Sequence, residues 1–106
     1  IDDKDARRYI RKTVKGVKAN EAKLEKIIGT KLKQEWKIDR ISKINLALLK
    51  LSIYEMLYAE VPYKIAINEI IELAKKYGED NSAAFINGVL ANVVKENLWY
   101  QLNLLQ

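Results

Sequence analysis

The chain has 106 residues, carries a net charge of +5 and contains neither cysteine nor histidine. This composition excludes disulfide bridges, a Ser-His-Asp triad, a Cys-His pair and zinc sites built from thiolate or imidazole ligands. No apolar run approaches the roughly 20 residues that span a bilayer, and the start IDDKD is unlike a signal peptide, so we expect one cytoplasmic domain with no membrane partner.

Positive charge is concentrated in the first half of the chain. Residues 1–53 carry fifteen Lys and Arg against seven Asp and Glu, whereas residues 54–106 carry four against seven. Apolar spacing predicts a first helix from about Ala6 to Lys18 with a basic opposite face. Such a face can contact nucleic-acid phosphates, and a solvated helix face explains it equally well. The candidate phosphate contacts are Arg7, Arg8, Arg11 and Lys15.

Two further helices are predicted before the middle of the chain. Asn20 is expected to cap a second helix, whose apolar stripe contains Leu24 and Ile28. The stretch from Lys43 to Tyr58 leaves little polar surface, which is typical of a helix inside a protein. With no strand pattern anywhere, the sequence predicts an all-α bundle around this central apolar helix.

The second half of the chain predicts two helices with a short joint. Pro62 suits a first helical turn, and Gly78 is expected to end that helix in a left-handed conformation. Asn81 or Ser82 can then cap the free amides of a last helix. Its inward face is expected to hold Phe85, Ile86, Val89, Leu90 and Val93.

The sequence offers no convincing catalytic group. Glu69 and Glu72 share a helical face, but no base, metal-ligand set or glycine-rich phosphate loop accompanies them. A surface ion pair between Glu72 and Lys75 is the simpler interpretation. We therefore predict no catalytic residue, no metal site and no cofactor, and the protein is not expected to be an enzyme.

The run VPYKIAINEIIELAKKYGEDNSAAFINGVL, from Val61 to Leu90, resembles the NusB family of bacterial transcription antitermination factors. The family pattern is approximately P-x-x-[VI]-A-I-N-E-A-[VI]-E-L-A-K-x-[YF]-G, followed by S-x-x-F-[VI]-N-G-V-L. Upstream, Trp36 with the run IDRI, and the run LLKLSIYEM, resemble W-x-[LI]-x-R-[LI] and L-R-L-A-x-Y-E-[LM]. This resemblance covers about residues 36–94 and implies an all-α, NusB-like helical bundle.

The start of the chain departs from the family pattern. Family members begin with an arginine-rich helix of the type R-R-x-A-R-x-x-A-[LV]-Q-x-L-Y, whereas the first helix here aligns better with their second. We interpret residues 1–106 as one NusB-like domain truncated at its N-terminus, with a basic helical part at 1–34 and a C-terminal bundle at 35–106. Loss of a first helix predicts an apolar patch that favours self-association. Its members would be Tyr9, Ile10, Val14, Leu24 and Ile28.

The family resemblance implies a function and partners. NusB proteins pair with NusE, a ribosomal protein of the small subunit, and bind the boxA element of nascent RNA at the transcribing RNA polymerase complex. The positions implied in partner binding are Asn45, Asn81, Ser82 and Phe85. Phe85 is either a core residue or an exposed aromatic that stacks on a base or fills a partner pocket. Family members often have an acid at Asn45 and Asn81, which alters the charge offered to NusE.

Two alternatives to an antitermination factor are open at this point. One is the NusB-like RNA-binding domain of a ribosomal RNA cytosine methyltransferase, which would require a cofactor-binding α/β domain after Gln106. The other is a helical adaptor that binds a protein and no RNA. Partner binding that is insensitive to salt would support the adaptor.

Overall fold

The computed structural model describes residues 3–32 and 38–104, and regular structure in these ranges is helical throughout. A short 3-10 turn at Ile38–Arg40 precedes the central helix. The predicted all-α fold is confirmed, while Trp36 lies outside the described residues. The helices are α1 (Asp3–Ala19), α2 (Glu21–Lys31), α3 (Lys43–Leu57), α4 (Tyr63–Tyr77) and α5 (Ser82–Leu104).

The central helix of the bundle is α3, which contacts each of the other four helices. Its residues Leu49 and Ile53 are fully buried, because neighbours cover α3 on several sides. The prediction that the apolar run from Lys43 belongs inside the protein is therefore confirmed. On α5, the predicted inward-facing residues Ile86, Val89, Leu90 and Val93 are all buried.

The joint between α4 and α5 is a close packing of backbone at Gly78. Its φ of −87° and ψ of −169° are extended, so our prediction of a left-handed helix end is wrong. A Cβ at Gly78 would lie 2.6 Å from the carbonyl oxygen of Ala74 and 2.7 Å from the Cβ of Ser82. Close approach, rather than a positive φ, is what requires glycine at this position.

At two joints a side chain predicted as a cap, Asn20 and Ser82, bonds the preceding turn instead. The Asn20 side chain donates a hydrogen bond to the carbonyl oxygen of Gly16 at 2.8 Å, so it closes the end of α1 and does not cap α2. The Ser82 hydroxyl accepts a hydrogen bond from the N–H of Glu79 at 2.8 Å, so it closes the turn that precedes α5. In both cases the side chain bonds a backbone group of the preceding turn instead of an amide of the following helix.

The predicted apolar patch is exposed at three of its residues, all on α1, and buried at the other two, which lie on α2. Tyr9, Ile10 and Val14 are 53%, 57% and 48% exposed. Leu24 and Ile28 are fully buried, because α2 packs against both α3 and α5. Of the five residues predicted for this patch, those that remain open therefore all lie on α1.

Candidate nucleic-acid and partner interface

The four predicted phosphate contacts share the exposed face of α1. Arg7, Arg11 and Lys15 are separated by four residues each, so they lie in a row along one side of the helix. Arg8 lies in a neighbouring row, and all four side chains are exposed. The structure thus brings together every residue that the sequence selected for phosphate binding on this helix.

Two lysines that the sequence analysis did not select complete the basic face. Lys4 and Lys12 lie four residues before and after Arg8, which makes a second row parallel to the first. The six cationic side chains border an open depression of about 670 Å³. The repeated four-residue spacing of these cations was the signal that could have identified both lysines from the sequence.

The charges on this basic face are largely available to an external anion. Within the described part of the chain, no carboxylate lies within ion-pairing distance of Arg8, Arg11, Lys12 or Lys15. Neighbouring cations on successive helical turns repel one another, so a polyanion that lies along the face relieves this repulsion. The face therefore suits a chain of phosphates better than a single carboxylate.

The residues predicted at the start of α5 have unequal access to a partner. Asn81 is exposed, and its backbone carbonyl accepts the hydrogen bond from the N–H of Phe85. Ser82 is fully buried and hydrogen-bonded in the turn, so its side chain shapes this corner from inside. Only Asn81 of this pair presents its side chain to solvent.

Phe85 is partly buried and packs against the hydrophobic core. It also lines a groove of about 300 Å³ between α2 and α5. Both interpretations of Phe85 therefore describe part of its environment, since one region of the ring packs inward and another borders the groove. The other lining residues are Lys31, Leu32, Ala84, Gly88, Val89 and Asn92.

Asn45 lies in the first turn of α3 and is only 8% exposed. Its backbone N–H donates a hydrogen bond to the capping hydroxyl of Ser42 at 3.3 Å. The side-chain Oδ1 is buried and has no hydrogen-bond partner among the described residues. An unpaired acceptor of this kind is costly to bury, and because it has no access to solvent, Asn45 does not present its side chain to a partner in this structure.

The predicted site residues fall on separate surfaces. The basic face of α1 lies opposite the side that packs on α3, whereas the Phe85 groove lies between α2 and α5. The basic depression and the groove have no lining residue in common. The structure therefore does not form one compact pocket from the arginines and Phe85.

An ion cluster around a buried lysine, which the sequence analysis missed, joins α2 to α3. Lys50 is 7% exposed, and its Nζ donates hydrogen bonds to Glu21 at 2.7 Å and to Glu25 at 2.8 Å. Burial alone would lower the pKa of Lys50, but the hydrogen bonds to the two carboxylates outweigh it and raise this pKa. The hydrogen bond from Lys50 is also the main reason that the pKa of Glu21 is lowered.

A second buried charge on α3, Glu55, was also missed. It is 9% exposed, and Tyr9 on α1 is close enough to affect the pKa of its carboxyl. Burial and then the nearby charge of Glu69 raise the pKa of the Glu55 carboxyl, while the Tyr9 hydroxyl acts in the opposite direction. A glutamate inside an otherwise apolar helix was the sequence signal for this site.

The described residues contain no group of three or more acidic side chains placed to hold a metal ion. Among the helices of these residues, none is both long enough and apolar enough to cross a bilayer. The predicted surface pair is present, with Lys75 Nζ 3.7 Å from Glu72 Oε1 and both side chains exposed.

Comparison with known proteins places this geometry in a family. The model of the NusB family matches residues 2–95. The transcription antitermination protein NusB of Clostridium novyi is 50% identical over 88 residues, which are 82% of this chain and 65% of that protein. The NusB of Listeria monocytogenes serotype 4a is 49% identical over 90 residues, which are 84% of this chain and 70% of that protein.

A solved structure shares the fold. A structure of T. maritima NusB superposes with a TM-score of 0.83 at 36% sequence identity, covering 89% of this chain and 66% of that one. The chain thus spans about two thirds of the length of the relatives it matches. The family model covers most of the chain, and the relatives agree with it in sequence and in fold, so this chain belongs to the NusB family.

Proposed function

We propose that this chain is a non-catalytic, RNA-binding transcription antitermination factor that acts in the cytoplasm with NusE on boxA-type RNA. The observation that carries the proposal is the double row of cations on the exposed face of α1. Membership of the NusB family and the names of the matched relatives support the same direction. NusE, boxA and the transcribing RNA polymerase complex are the partners that the family resemblance implies.

The proposed mechanism is binding to a rigid platform. Phosphates of a single strand follow the cations of α1 and displace the counterions around them, which supplies affinity without reading sequence. The partner contacts lie elsewhere, at the exposed Asn81 and the Phe85 groove. Two separated surfaces let one small domain hold RNA and protein at the same time.

The first experiment measures RNA binding by fluorescence anisotropy. The full chain is titrated into a labelled boxA-like strand and into a scrambled strand, with and without NusE, at two salt concentrations. Tighter, NusE-dependent binding to the boxA-like strand would support the proposal. Equal binding to both strands with NusE present, or no binding at low salt, would overturn it, and retained NusE binding would then favour the adaptor.

A charge variant tests whether α1 is the phosphate-binding face. Replacing Arg7, Arg8, Arg11 and Lys15 by glutamine removes four phosphate contacts. We expect the slope of log affinity against log salt to fall by about 3, at roughly 0.7 per contact on a single strand. The control replaces four exposed lysines on other faces, and an equal loss there would show that net charge alone determines binding. Its positions are Lys43, Lys64, Lys75 and Lys76.

A further inference from the structure

The side of α2 that faces away from α3 is basic. Leu24 and Ile28 are fully buried on one side of this helix. Lys26 lies on the opposite side by helical spacing, with Lys23 beside it, and both lysines are exposed. Within the described residues, neither lysine lies within ion-pairing distance of a carboxylate. Both charges are therefore available to an external anion.

The two acids of α2 oppose such an anion only weakly. Glu21 and Glu25 accept hydrogen bonds from Nζ of Lys50 on α3 at 2.7 Å and 2.8 Å. The hydrogen bond from Lys50 lowers the pKa of Glu21, so this carboxylate stays ionised and paired near pH 7. Because both acids lie beside a cation of the central helix, they repel an anion on the outer side of α2 less than two free carboxylates would.

The outer sides of α1 and α2 form one surface. Both helices pack on α3, they contact each other, and only Asn20 separates them along the chain. The sides of this helical hairpin that face away from α3 therefore lie next to each other. On α1 this side is the basic face, which the exposed Lys18 extends beyond Lys15 by about one turn. The cations of α1 thus continue through Lys18 to Lys23 and Lys26 of α2.

This outer surface offers cations to phosphates but no platform for bases. Neither α1 nor α2 contains Asn or Gln, whose side-chain amides hydrogen-bond base edges. Helix α2 has no aromatic residue, and the single aromatic residue of α1, Tyr9, lies one turn before the buried Thr13 and so away from the cations. Proteins that hold the bases of a single strand stack them on aromatic side chains. The surface therefore suits the backbone of RNA and not its bases.

We infer that the outer surface of the α1–α2 hairpin is a track for the backbone of single-stranded RNA that flanks the specifically bound element. The inference rests on the proposed RNA-binding function and adds Lys18, Lys23 and Lys26 to its phosphate contacts. From Lys4 to Lys18 the cations follow α1 for about 21 Å, at a helical rise of about 1.5 Å per residue, before the track turns onto α2. Phosphate contacts carry no sequence information, so the nucleotides on this track are those whose identity does not matter.

The first test lengthens the RNA. Fluorescence anisotropy measures binding of the full chain, with NusE present, to a boxA-like strand and to the same strand extended at either end by about eight nucleotides, within the range of known single-strand sites. A second set of extensions consists of abasic nucleotides, which keep the phosphates and remove the bases. We expect an extension at one end at least to raise the affinity by about tenfold or more, with or without bases, because phosphates supply the gain. No gain from any extension, or a gain that abasic nucleotides do not give, would overturn the inference.

This test separates the track from the proposed function. Binding of the unextended boxA-like strand reports on the proposed function, whereas the gain from the extension reports on the track. If the unextended strand does not bind, strands of unrelated sequence and increasing length test the track at low salt. Affinity that does not rise with their length would overturn the inference in that case.

A triple variant assigns the gain to the end of the track on α2. Replacing Lys18, Lys23 and Lys26 by glutamine should lower the slope of log affinity against log salt by about 2 for the extended strand, at roughly 0.7 per contact. Most of the gain from the extension should be lost, while circular dichroism should show an intact fold. The matched control replaces three exposed lysines of α4 and should keep the gain. An equal loss in both variants, or a gain that the triple variant keeps, would overturn the inference. The control positions are Lys64, Lys75 and Lys76.

Discussion

The two buried charges of α3, Lys50 and Glu55, differ in whether the rest of the chain supplies an opposite charge. Lys50 and Glu55 are 7% and 9% exposed and lie five residues apart. Lys50 is paired with Glu21 and Glu25 of α2. The groups that affect the pKa of Glu55 are instead Glu69, a second acid, and the hydroxyl of Tyr9. Lys50 therefore joins α2 to α3 by ion pairs, whereas Glu55 has no cation paired with it among the described residues. Burial alone does not distinguish these roles, but the identity of the neighbours does.

The largest expected effect comes from reversing the charge of Lys50. Lys50→Glu would place three carboxylates together, one of them buried, and should lower the free energy of unfolding by about 3 kcal/mol or more. Urea unfolding followed by circular dichroism measures the change. Lys50→Met should stay much closer to the parent, because the two carboxylates that it leaves unpaired are 52% and 41% exposed and can be solvated by water.

The control for that reversal is an exposed lysine with a similar pair. Lys75 lies 3.7 Å from Glu72, and both side chains are exposed. Lys75→Glu should cost less than about 1 kcal/mol, because solvent screens surface pairs. If Lys50→Glu cost no more than this, the cluster of Lys50 would not fasten α2 to α3 in the way described.

A smaller change in the free energy of unfolding is expected at the contact between Gly16 of α1 and Tyr54 of α3. A Cβ at Gly16 would overlap the side chain of Tyr54, whose ring stacks on Tyr58 at a centroid distance of 5.6 Å. Gly16→Ala should therefore cost about 1–2 kcal/mol, measured by urea unfolding. Gly29→Ala is the matched control, because no described atom lies within 4 Å of the added Cβ. It should stabilise the protein by about 0.5–1 kcal/mol, and a loss as large as that of Gly16→Ala would contradict the proposed contact.

The same comparison explains which features the sequence could predict. The central helix and the inner face of α5 follow from apolar periodicity, because many side chains contribute to one signal. The basic face of α1 follows from repeated spacing for the same reason. Glu55 and Lys50 were missed because each is a single charge in an apolar run, and a sequence does not show whether a carboxylate or a lysine from another helix lies opposite.

The turn residues were harder to predict than the helices. Gly78 was expected to adopt a left-handed conformation, but its role depends on how closely Ser82 and Ala74 approach. Asn20 had backbone groups to bond on both sides, and it reaches back to Gly16. A short polar side chain near a helix boundary can serve either neighbouring turn, so the choice depends on geometry that the sequence does not contain.

The smallest expected effect is a difference in pH dependence between Glu21, which pairs with Lys50, and Glu55. The pKa of Glu21 is lowered, so its stabilising contribution is present above its ordinary value of 4.5 and is lost as the pH falls through the lowered pKa. The pKa of Glu55 is raised, so the folded state becomes less stable as the pH rises from 4.5 through the raised value. The two acids therefore act on stability with opposite signs.

Glu55→Gln isolates the second contribution, because the variant and the parent share Glu21. We expect the variant to be more stable than the parent near pH 7, by less than about 1 kcal/mol because remaining solvent access screens the charge. This advantage should shrink near pH 4, where the Glu55 carboxyl of the parent is largely protonated when folded. Urea unfolding of both proteins at the two pH values measures the difference. An advantage of equal size at both would show that it comes from packing of the amide and not from the buried charge.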